Sequence, residues 1–301
     1  MKKIFFTAIV ILLCITVYSQ DKPMISFTFD DPSADTEERD NGILETLSKY
    51  NLQAALFVCG MRVNNADGKI LLNKWDSSGH LICNHSYSHS YFHSKKISLQ
   101  DFESDFLRGD SLINTYKNYT KLFRYPYLKE GNTKEKRDGI REFLASLGYK
   151  NGYVTIDASD WYIDGRMKDT LKNNPNADIT PYKQFYLDHI YNRAMFYDSL
   201  GVLLAGRHIR HTLLLHHNLI NSMFLDDLVN MFRQNGWELV NASDAFNDPV
   251  STIIPDILPA GESLIWAMAK ESGKYDEILR YPGEDGEYEK EKLDEYLKKY
   301  K

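Results

Sequence analysis

The sequence contains little cysteine, with three residues in 301. Cys14 lies in the first segment, so a chain that loses this segment keeps only Cys59 and Cys83. Two cysteines do not make a disulfide scaffold, which excludes the small disulfide-rich classes of secreted protein. Both residues lie in apolar, strand-like stretches, and this pattern leaves open whether they are bonded or are buried free thiols.

The sequence also lacks a predicted membrane-spanning helix, because its N-terminal apolar run, Ile4–Val17, is too short. Two lysines precede this run, and a small-residue cleavage signature ends at Ser19. We therefore predict that residues 1–19 form a signal peptide and that the protein is secreted or periplasmic. The alternative is a lipid anchor on Cys14, but Leu13 stands before it where a small residue is expected, so we predict no anchor.

Positive charge is scarce as well. Lysine and arginine number 36 against 42 acidic residues, which gives a formal net charge of −6. Loss of Lys2 and Lys3 with the leader changes this value to −8. An acidic chain is repelled by phosphate backbones and anionic lipid surfaces, so we expect no nucleic-acid partner.

What the chain does contain is a regular alternation of short apolar runs with helix-like segments, without internal repeats. Seven strands are predicted: Met24–Phe29, Ala54–Val58, His80–Cys83, Leu122–Tyr125, Tyr153–Ile156, Ile209–Leu215 and Trp237–Val240. Repeated βα units predict an α/β fold with a parallel sheet covered by helices, here a distorted or incomplete (β/α) barrel. We expect a single catalytic domain over residues 20–250. Residues 251–301 should form a C-terminal extension with surface helices, wrapped on the domain without a core of its own.

Polar residues lie just past the carboxyl ends of these predicted strands. They are Asp30 and Asp31, His85 and His89, Arg124, Asp157 and Asp160, and His216 and His217. In a βα barrel the loops after the strands share one rim, where active sites are built. Residues far apart in the chain should therefore converge on one pocket.

Two of these groups suggest a metal site. The adjacent carboxylates of Asp30 and Asp31 repel each other unless a cation or a shared proton reduces the repulsion. An isolated Asp-Asp-Pro is, however, also typical of a turn or a helix N-cap. Two histidines four residues apart, His85 and His89, can direct their imidazoles at one divalent ion. Two histidines and one aspartate leave coordination positions open, which is typical of a hydrolytic or oxidative site, since a closed structural site needs a fourth protein ligand.

Five motifs in order then make the sequence recognisable: Thr28-Phe-Asp-Asp31, His85-Ser-Tyr-Ser-His89, Arg124-Tyr-Pro-Tyr127, Asp157-Ala-Ser-Asp-Trp161 and Leu214-Leu-His216. Over about residues 24–245 the chain resembles the polysaccharide deacetylases of carbohydrate esterase family 4. Each motif alone is weak, but all five occur in the family's order and at plausible separations.

The resemblance implies a role for each matching residue. Asp30 resembles the catalytic base, and Asp31, His85 and His89 resemble the ligands of a divalent metal, with zinc expected and cobalt or nickel as alternatives. Arg124 resembles the arginine that orients the base.

On the other side of the pocket, the backbone N–H of Tyr127 resembles an oxyanion donor. Asp160 resembles the carboxylate that holds the general acid, and His216 resembles that acid. Trp161 and Leu214 resemble the walls of the pocket for the acetyl methyl group.

Three departures from the family pattern stand out. Pro32 occupies a position where the family usually has glycine, which stiffens the loop after the aspartates. His217 follows His216 and is an alternative general acid, although the spacing from Leu214 favours His216. The long segment Tyr162–Gly206 indicates an insertion that either shapes the substrate groove or serves packing alone.

The expected activity is hydrolysis of the amide C–N bond of N-acetyl groups in an N-acetylglucosamine-type polysaccharide or oligosaccharide. Three alternatives remain at this point: an O-acetyl esterase acting on xylan or another acetylated glycan, a carbohydrate-binding relative without catalysis, and a metal amidase acting on a small cyclic amide. The motifs relate to recognition of the acetyl group and do not indicate which sugar carries it.

Overall fold

A computed structural model of the protein describes residues 22–33 and 37–299. None of the helices in these two ranges is both long and apolar enough to cross a membrane. The predicted signal peptide, residues 1–19, lies outside the described residues.

The centre of the fold is a parallel sheet whose first strand contacts neighbours along both edges. The strands in chain order are β1 (Met24–Asp30), β2 (Ala55–Val58), β3 (Leu81–Asn84), β4 (Tyr119–Phe123), β5 (Lys129–Gly131), β6 (Lys150–Asn151), β7 (Arg210–His216), β8 (Glu238–Leu239) and β9 (Ala260–Gly261). The sheet runs β6-β4-β3-β2-β1-β7, with β8 also paired to β1, while β5 and β9 form a separate antiparallel pair. This curled, open sheet surrounded by helices confirms the predicted incomplete barrel.

The carboxyl ends of the strands lie together because the register is regular. Every residue of β1 pairs with one of β7, so that Asp30 lies beside His216 at the end of both strands. On the other edge of β1, Asp30 pairs with Phe57 of β2. Strands buried on both faces are typical of such sheets, and β1 and β2 are buried almost throughout.

The prediction that Tyr153–Ile156 forms a strand is wrong. Only Ile156 forms an isolated parallel bridge, to Leu213. The backbone of this segment is satisfied differently, because the Thr212 hydroxyl donates to the Tyr153 carbonyl and the Leu264 N–H donates to the Val154 carbonyl. The segment still runs along β7 and places Asp157 at the same rim.

Helices cover the sheet on its outer face. They are α1 (Glu37–Lys49), α2 (Gly60–Val63), α3 (Ala66–Ser77), α4 (Leu99–Ile113), α5 (Lys134–Ser146), α6 (Asp160–Asn173), α7 (Thr180–Ala205), α8 (Leu219–Gln234), α9 (Ala242–Phe246), α10 (Leu264–Ser272) and α11 (Glu287–Lys298). The segment Tyr162–Gly206 forms most of α6 and all of α7. Helix α7 buries large side chains such as Tyr186 and Tyr197 in the main core, so much of this segment serves packing.

The C-terminal extension shares the main hydrophobic core. The α10 residues from Leu264 to Ala269 are buried in the same cluster as the inner side chains of the sheet, and Leu293 of α11 joins them. The extension therefore has no core of its own and is also more than a surface wrap. Elsewhere in the core, Cys59 and Cys83 are buried free thiols, and burial raises the pKa of both.

Candidate active site

An open cleft of about 740 Å³ lies at the carboxyl ends of the strands. Its lining includes nearly all the predicted site residues: Asp30, Asp31, His85, His89, Tyr127, Trp161, Leu214 and His216. Arg124 and Asp160 lie directly behind this surface, each bonded to a residue that lines it. The structure thus brings the sequence-predicted set together.

Asp31, His85 and His89 form one group whose ligand atoms all lie within 4.8 Å of one another. The His89 Nε2 is 3.5 Å from the Asp31 Oδ2. The His85 ring donates through its Nδ1–H to the Arg124 carbonyl at 2.7 Å, which leaves its Nε2 lone pair free to bind an ion. Such a hydrogen bond to a backbone carbonyl is usual for metal-binding histidines.

The charge state of both imidazoles also suits metal binding. Burial, followed by the neighbouring His89, lowers the pKa of His85 to about 3. Burial lowers the pKa of His89 as well, against the opposing effect of Asp31. Both rings are therefore neutral near pH 7, and the neutral imidazole is the form that binds metals.

Two members of this group adopt a backbone conformation that side-chain-bearing residues rarely use. Asp31 has φ of 59° and His89 has φ of 56°. Left-handed residues of this kind are uncommon outside glycine, and they cluster at functional sites. The Asp31 Oδ1 is buried without a hydrogen bond to any described residue and lies 3.4 Å from the Arg62 Nε. A divalent cation fits this donor set, since two neutral imidazoles and a carboxylate are the ligands it prefers.

Asp30 is held by a buried arginine. The Arg124 Nη1 donates to the Asp30 Oδ1 at 2.6 Å and to the Thr28 hydroxyl at 2.9 Å, while its Nε donates to the Gly152 carbonyl at 2.9 Å. Burial raises the pKa of Asp30 above its usual value, and Arg124 and His216 partly oppose this rise. The other oxygen of Asp30 lies 3.7 Å from the His85 Nε2, so the carboxylate lies between the arginine and the group of Asp31, His85 and His89.

The two neighbouring histidines at the end of β7 have different surroundings. The His216 Nδ1 lies 2.8 Å from the Asp160 Oδ1, and its ring is partly exposed in the cleft. Burial disfavours the imidazolium, but the Asp160 carboxylate outweighs burial, and the pKa of His216 is raised to about 9. The His217 ring is buried and packs edge-on against Trp75, with 6.1 Å between the ring centroids. The contact with Asp160 that we expected of the general acid is therefore made by His216.

Asp160 is itself fixed by residues that the sequence analysis did not single out. Its Oδ2 accepts hydrogen bonds from the His216 backbone N–H at 2.8 Å, from the Asn218 side chain at 2.9 Å and from the Asn221 side chain at 2.7 Å. Tyr186 of α7 donates to the Asn221 amide oxygen. The only signal in the sequence was the pair of asparagines following His217 at the start of α8.

The remaining predicted residues form the cleft surface. Tyr127 has φ of 57°, and its backbone N–H donates no hydrogen bond to another described residue. Its ring packs edge-on against His89, with 4.5 Å between centroids. Trp161 is 45% exposed and Leu214 is 6% exposed, and both line the cleft.

The C-terminal extension supplies one wall of the cleft, which the sequence analysis missed. Glu262 and the turn Pro282–Asp285 are among its lining residues. Within the extension, the Gly283 N–H donates to the Glu262 Oε2 at 3.0 Å, and Glu262 forms a salt bridge with Lys129 of β5. These residues carry no motif, so only the fold reveals their position.

Comparison with known proteins agrees with this arrangement. Residues 18–152 match the family model described as polysaccharide deacetylase. This part of the chain is therefore similar to the polysaccharide deacetylase family. The matched region contains the group of Asp31, His85 and His89 as well as Asp30, Arg124 and Tyr127, whereas Asp160, Trp161, Leu214 and His216 lie beyond it.

Two curated polysaccharide deacetylase relatives match part of the chain. A peptidoglycan-N-acetylglucosamine deacetylase of Bacillus cereus is 25% identical over 163 residues, which are 54% of this chain and 54% of the relative. A bifunctional xylanase/deacetylase of Pseudobutyrivibrio xylanivorans is 32% identical over 116 residues, which are 38% of this chain and 18% of the relative. The match thus spans about half the length of the first and less than a fifth of the second.

Two solved structures share the fold. A peptidoglycan deacetylase from Bacillus subtilis aligns with a TM-score of 0.50 and 23% identity, covering 74% of this chain and 90% of that one. A pseudoenzyme of carbohydrate esterase family 4 from Bacillus anthracis aligns with a TM-score of 0.52 and 17% identity, covering 75% of this chain and 66% of that one. Since the fold occurs in a pseudoenzyme, the activity of this chain must be argued from its own residues.

Proposed function

We propose that this protein is a metal-dependent deacetylase that hydrolyses N-acetyl groups of an N-acetylglucosamine-type polysaccharide or oligosaccharide. The observation that carries the proposal is that two titratable groups lie side by side in one cleft, at the ends of β1 and β7. Asp30 is fixed by Arg124, and His216 is held as an imidazolium by Asp160. We further propose, from the predicted signal peptide, that the protein acts outside the cytoplasm.

Asp31, His85 and His89 are the residues that would hold the metal, for which zinc is the first choice and cobalt or nickel are alternatives. When bound, a divalent ion supplies a Lewis acid that polarises the acetyl carbonyl and lowers the pKa of water. Asp31 is the ligand next to Asp30, so the two adjacent carboxylates have separate tasks: Asp31 binds the ion and Asp30 accepts a proton.

The chain's own residues then divide the proton transfers. Asp30 accepts a proton from the attacking water while Arg124 holds the carboxylate in place. As the C–N bond breaks, His216 donates its proton to the amine nitrogen, and acetate and a free amine remain. An amine leaves only when protonated, so a cationic acid is required at that atom, and the raised pKa of His216 keeps the ring protonated through neutral pH.

Binding and charge stabilisation complete the mechanism. The free N–H of Tyr127 donates to the negative oxygen that develops on the acetyl carbon. Trp161 and Leu214 present apolar surface for the acetyl methyl group, which orients the carbonyl carbon toward the water that Asp30 deprotonates. Exposed aromatic rings at Trp161 and Tyr127 also give the sugar ring a surface for stacking.

The test is release of acetate from a panel of acetylated glycans. Acetate should be released from N-acetylglucosamine oligomers, abolished by a chelator and restored by zinc, cobalt or nickel. His85→Ala should lose both the metal and activity, whereas the control His208→Ala, whose ring bonds Asp198, should keep both. Activity confined to acetylated xylan would replace the N-acetyl proposal with an O-acetyl esterase. Sugar binding without acetate release would make the chain a non-catalytic relative.

A further inference from the structure

The cleft is rich in carboxylates, and most of them have a cationic partner. The pairs are Asp30 with Arg124, Asp31 with Arg62, Asp160 with His216, Asp164 with Lys168, Glu262 with Lys129, and Glu284 with both Arg193 and Arg280. This pairing is expected, because an ionised carboxylate removed from water is costly without a partner.

Asp157 is the exception. It lines the cleft with only 6% of its surface exposed, yet it forms no hydrogen bond or salt bridge with any residue in the described part of the chain. The cations that act on it through space each have another partner: Lys129 and Arg193 are paired with glutamates, and His216 is paired with Asp160. A buried carboxylate that faces a cleft without a partner indicates a position that a ligand completes.

The C-terminal extension lies close to the Asp157 carboxylate. A Cβ atom at Gly283 would lie 2.9 Å from the Asp157 Oδ2 and 3.0 Å from the Glu262 Oε2, so the backbone of the extension passes close to both carboxylates. Burial, and then the charge of Glu262, raise the pKa of Asp157 to about 7. The neighbouring turn adds another carboxylate, Asp285, which lines the cleft and has no salt bridge within the described residues. This wall is therefore short of positive charge.

We propose that Asp157, supported by Asp285, binds an ammonium group of the substrate, so that the enzyme prefers a glycan in which a glucosamine unit adjoins the N-acetylglucosamine unit. This inference rests on the proposed deacetylase function and specifies its substrate class as a partly deacetylated, cationic glycan. A sugar hydroxyl would donate a hydrogen bond to Asp157 but leave the excess negative charge in place. An ammonium supplies both the donor and the charge.

The proposal also fits the position of Asp157 relative to the reaction. It follows Ile156, which bridges to β7, and the charge of His216 acts on it through space. A cation on Asp157 would therefore lie near the acetyl group being removed, as the neighbouring unit of the same glycan requires.

The experiment compares kcat/KM for acetate release from three oligosaccharides of equal length. In the first every unit is N-acetylated, in the second one unit is glucosamine, and in the third that unit is glucose. The third replaces the ammonium by a hydroxyl without changing the ring. We expect the glucosamine-containing oligomer to exceed the other two by about tenfold or more, since removal of one partner of a desolvated charge pair typically costs at least that factor.

Single-residue variants test which side chains cause the preference for the glucosamine-containing oligomer. Asp157→Asn keeps the shape and the hydrogen-bonding capacity but removes the charge, so the ratio for glucosamine over glucose should fall to about one, and Asp285→Asn should lower it less. Asp169→Asn, an exposed position on α6 outside the cleft lining, removes the same charge and should leave the ratio unchanged. The three-substrate comparison uses the unmodified protein and tests the charge even if Asp157→Asn does not fold.

The outcomes separate the two proposals. If no glycan in the set releases acetate, the proposed function fails. If acetate is released with equal kcat/KM from the glucosamine and glucose oligomers, only the ammonium site is refuted. Equal loss of activity on all three substrates in Asp157→Asn, with the wild-type ratio preserved, would likewise overturn it, because Asp157 would then act on His216 rather than on the substrate.

Discussion

The side-chain amide of Asn221 donates a hydrogen bond to the Asp160 carboxylate over 2.7 Å, and the same amide also donates to the His216 carbonyl. Asn221 thereby ties the start of α8 to both members of the acid–carboxylate pair. Its own amide oxygen accepts from Tyr186, so helix α7, part of the long segment between Trp161 and Leu214, is connected through Asn221 to His216, the proposed general acid.

Replacement of Asn221 by leucine should lower stability and turnover together. Three groups, the Asp160 Oδ2, the His216 carbonyl and the Tyr186 hydroxyl, would each lose a partner. An unsatisfied buried polar group costs about 1–3 kcal/mol. Denaturant unfolding should show this loss. Tyr186→Phe removes only the outer hydrogen bond, so it should cost less, and its effect should largely disappear in the Asn221→Leu background. Additive effects of the two changes would contradict the network.

Neutralising Asp160 should shift the pH dependence of activity. The pKa of His216 is raised to about 9, so its protonated form is present at lower pH and is lost as pH rises through that value. The alkaline limb of the kcat profile is therefore expected near pH 9. Asp160→Asn removes the carboxylate that stabilises the imidazolium, and the limb should move to lower pH. An unchanged limb would show that another group sets it.

The two adjacent histidines should behave differently on replacement. His216→Ala should remove the alkaline limb and cost on the order of 10²–10⁴ in kcat, the usual contribution of a positioned general acid. His217→Asn should leave the limb in place and act mainly on stability, because that ring is buried against Trp75. The pH–rate profiles of both variants, with thermal melting as the control for folding, decide between them.

Replacements of the two adjacent aspartates should also have different effects on metal content and turnover. Asp30→Asn should retain the metal and lose turnover by on the order of 10²–10⁴, since it removes only the proton acceptor. Asp31→Asn should lose metal and turnover together, because it removes a ligand. Metal content after dialysis, measured beside acetate release, distinguishes the two. If Asp30→Asn empties the site while Asp31→Asn does not, the roles of the pair are exchanged.

The sequence predicted the rim of the site well, because strand ends fix where a side chain lies in a parallel sheet. β1 and β7 were assigned to within one or two residues, and their register places Asp30 beside His216. The segment around Val154 was misassigned for the opposite reason. Its apolar alternation is typical of a strand, but the Thr212 hydroxyl and the distant Leu264 N–H satisfy the Tyr153 and Val154 carbonyls, which no local pattern records.

The walls of the cleft were less predictable than its catalytic residues. Helix α6, which begins at Asp160, was not assigned, since the polar Asp160–Asn173 segment carries a weak apolar stripe. Glu262 and the turn Pro282–Asp285 contact the cleft only through long-range packing of the extension. Their role depends on where α10 and α11 dock, and that position follows from the complete core and from no motif.

The residues proposed for catalysis and the cleft wall formed by the C-terminal extension are therefore encoded in separate parts of the gene. The residues proposed for catalysis end at His216, whereas the turn Pro282–Asp285 follows the last strand of the parallel sheet and is held by ion pairs from Glu284 to Arg193 and Arg280. Exchange of this terminal segment between homologues could retune which glycan is accepted while every catalytic residue stays the same. Differences in substrate preference between homologues would then lie in the C-terminal extension, which a sequence comparison restricted to the catalytic motifs does not include.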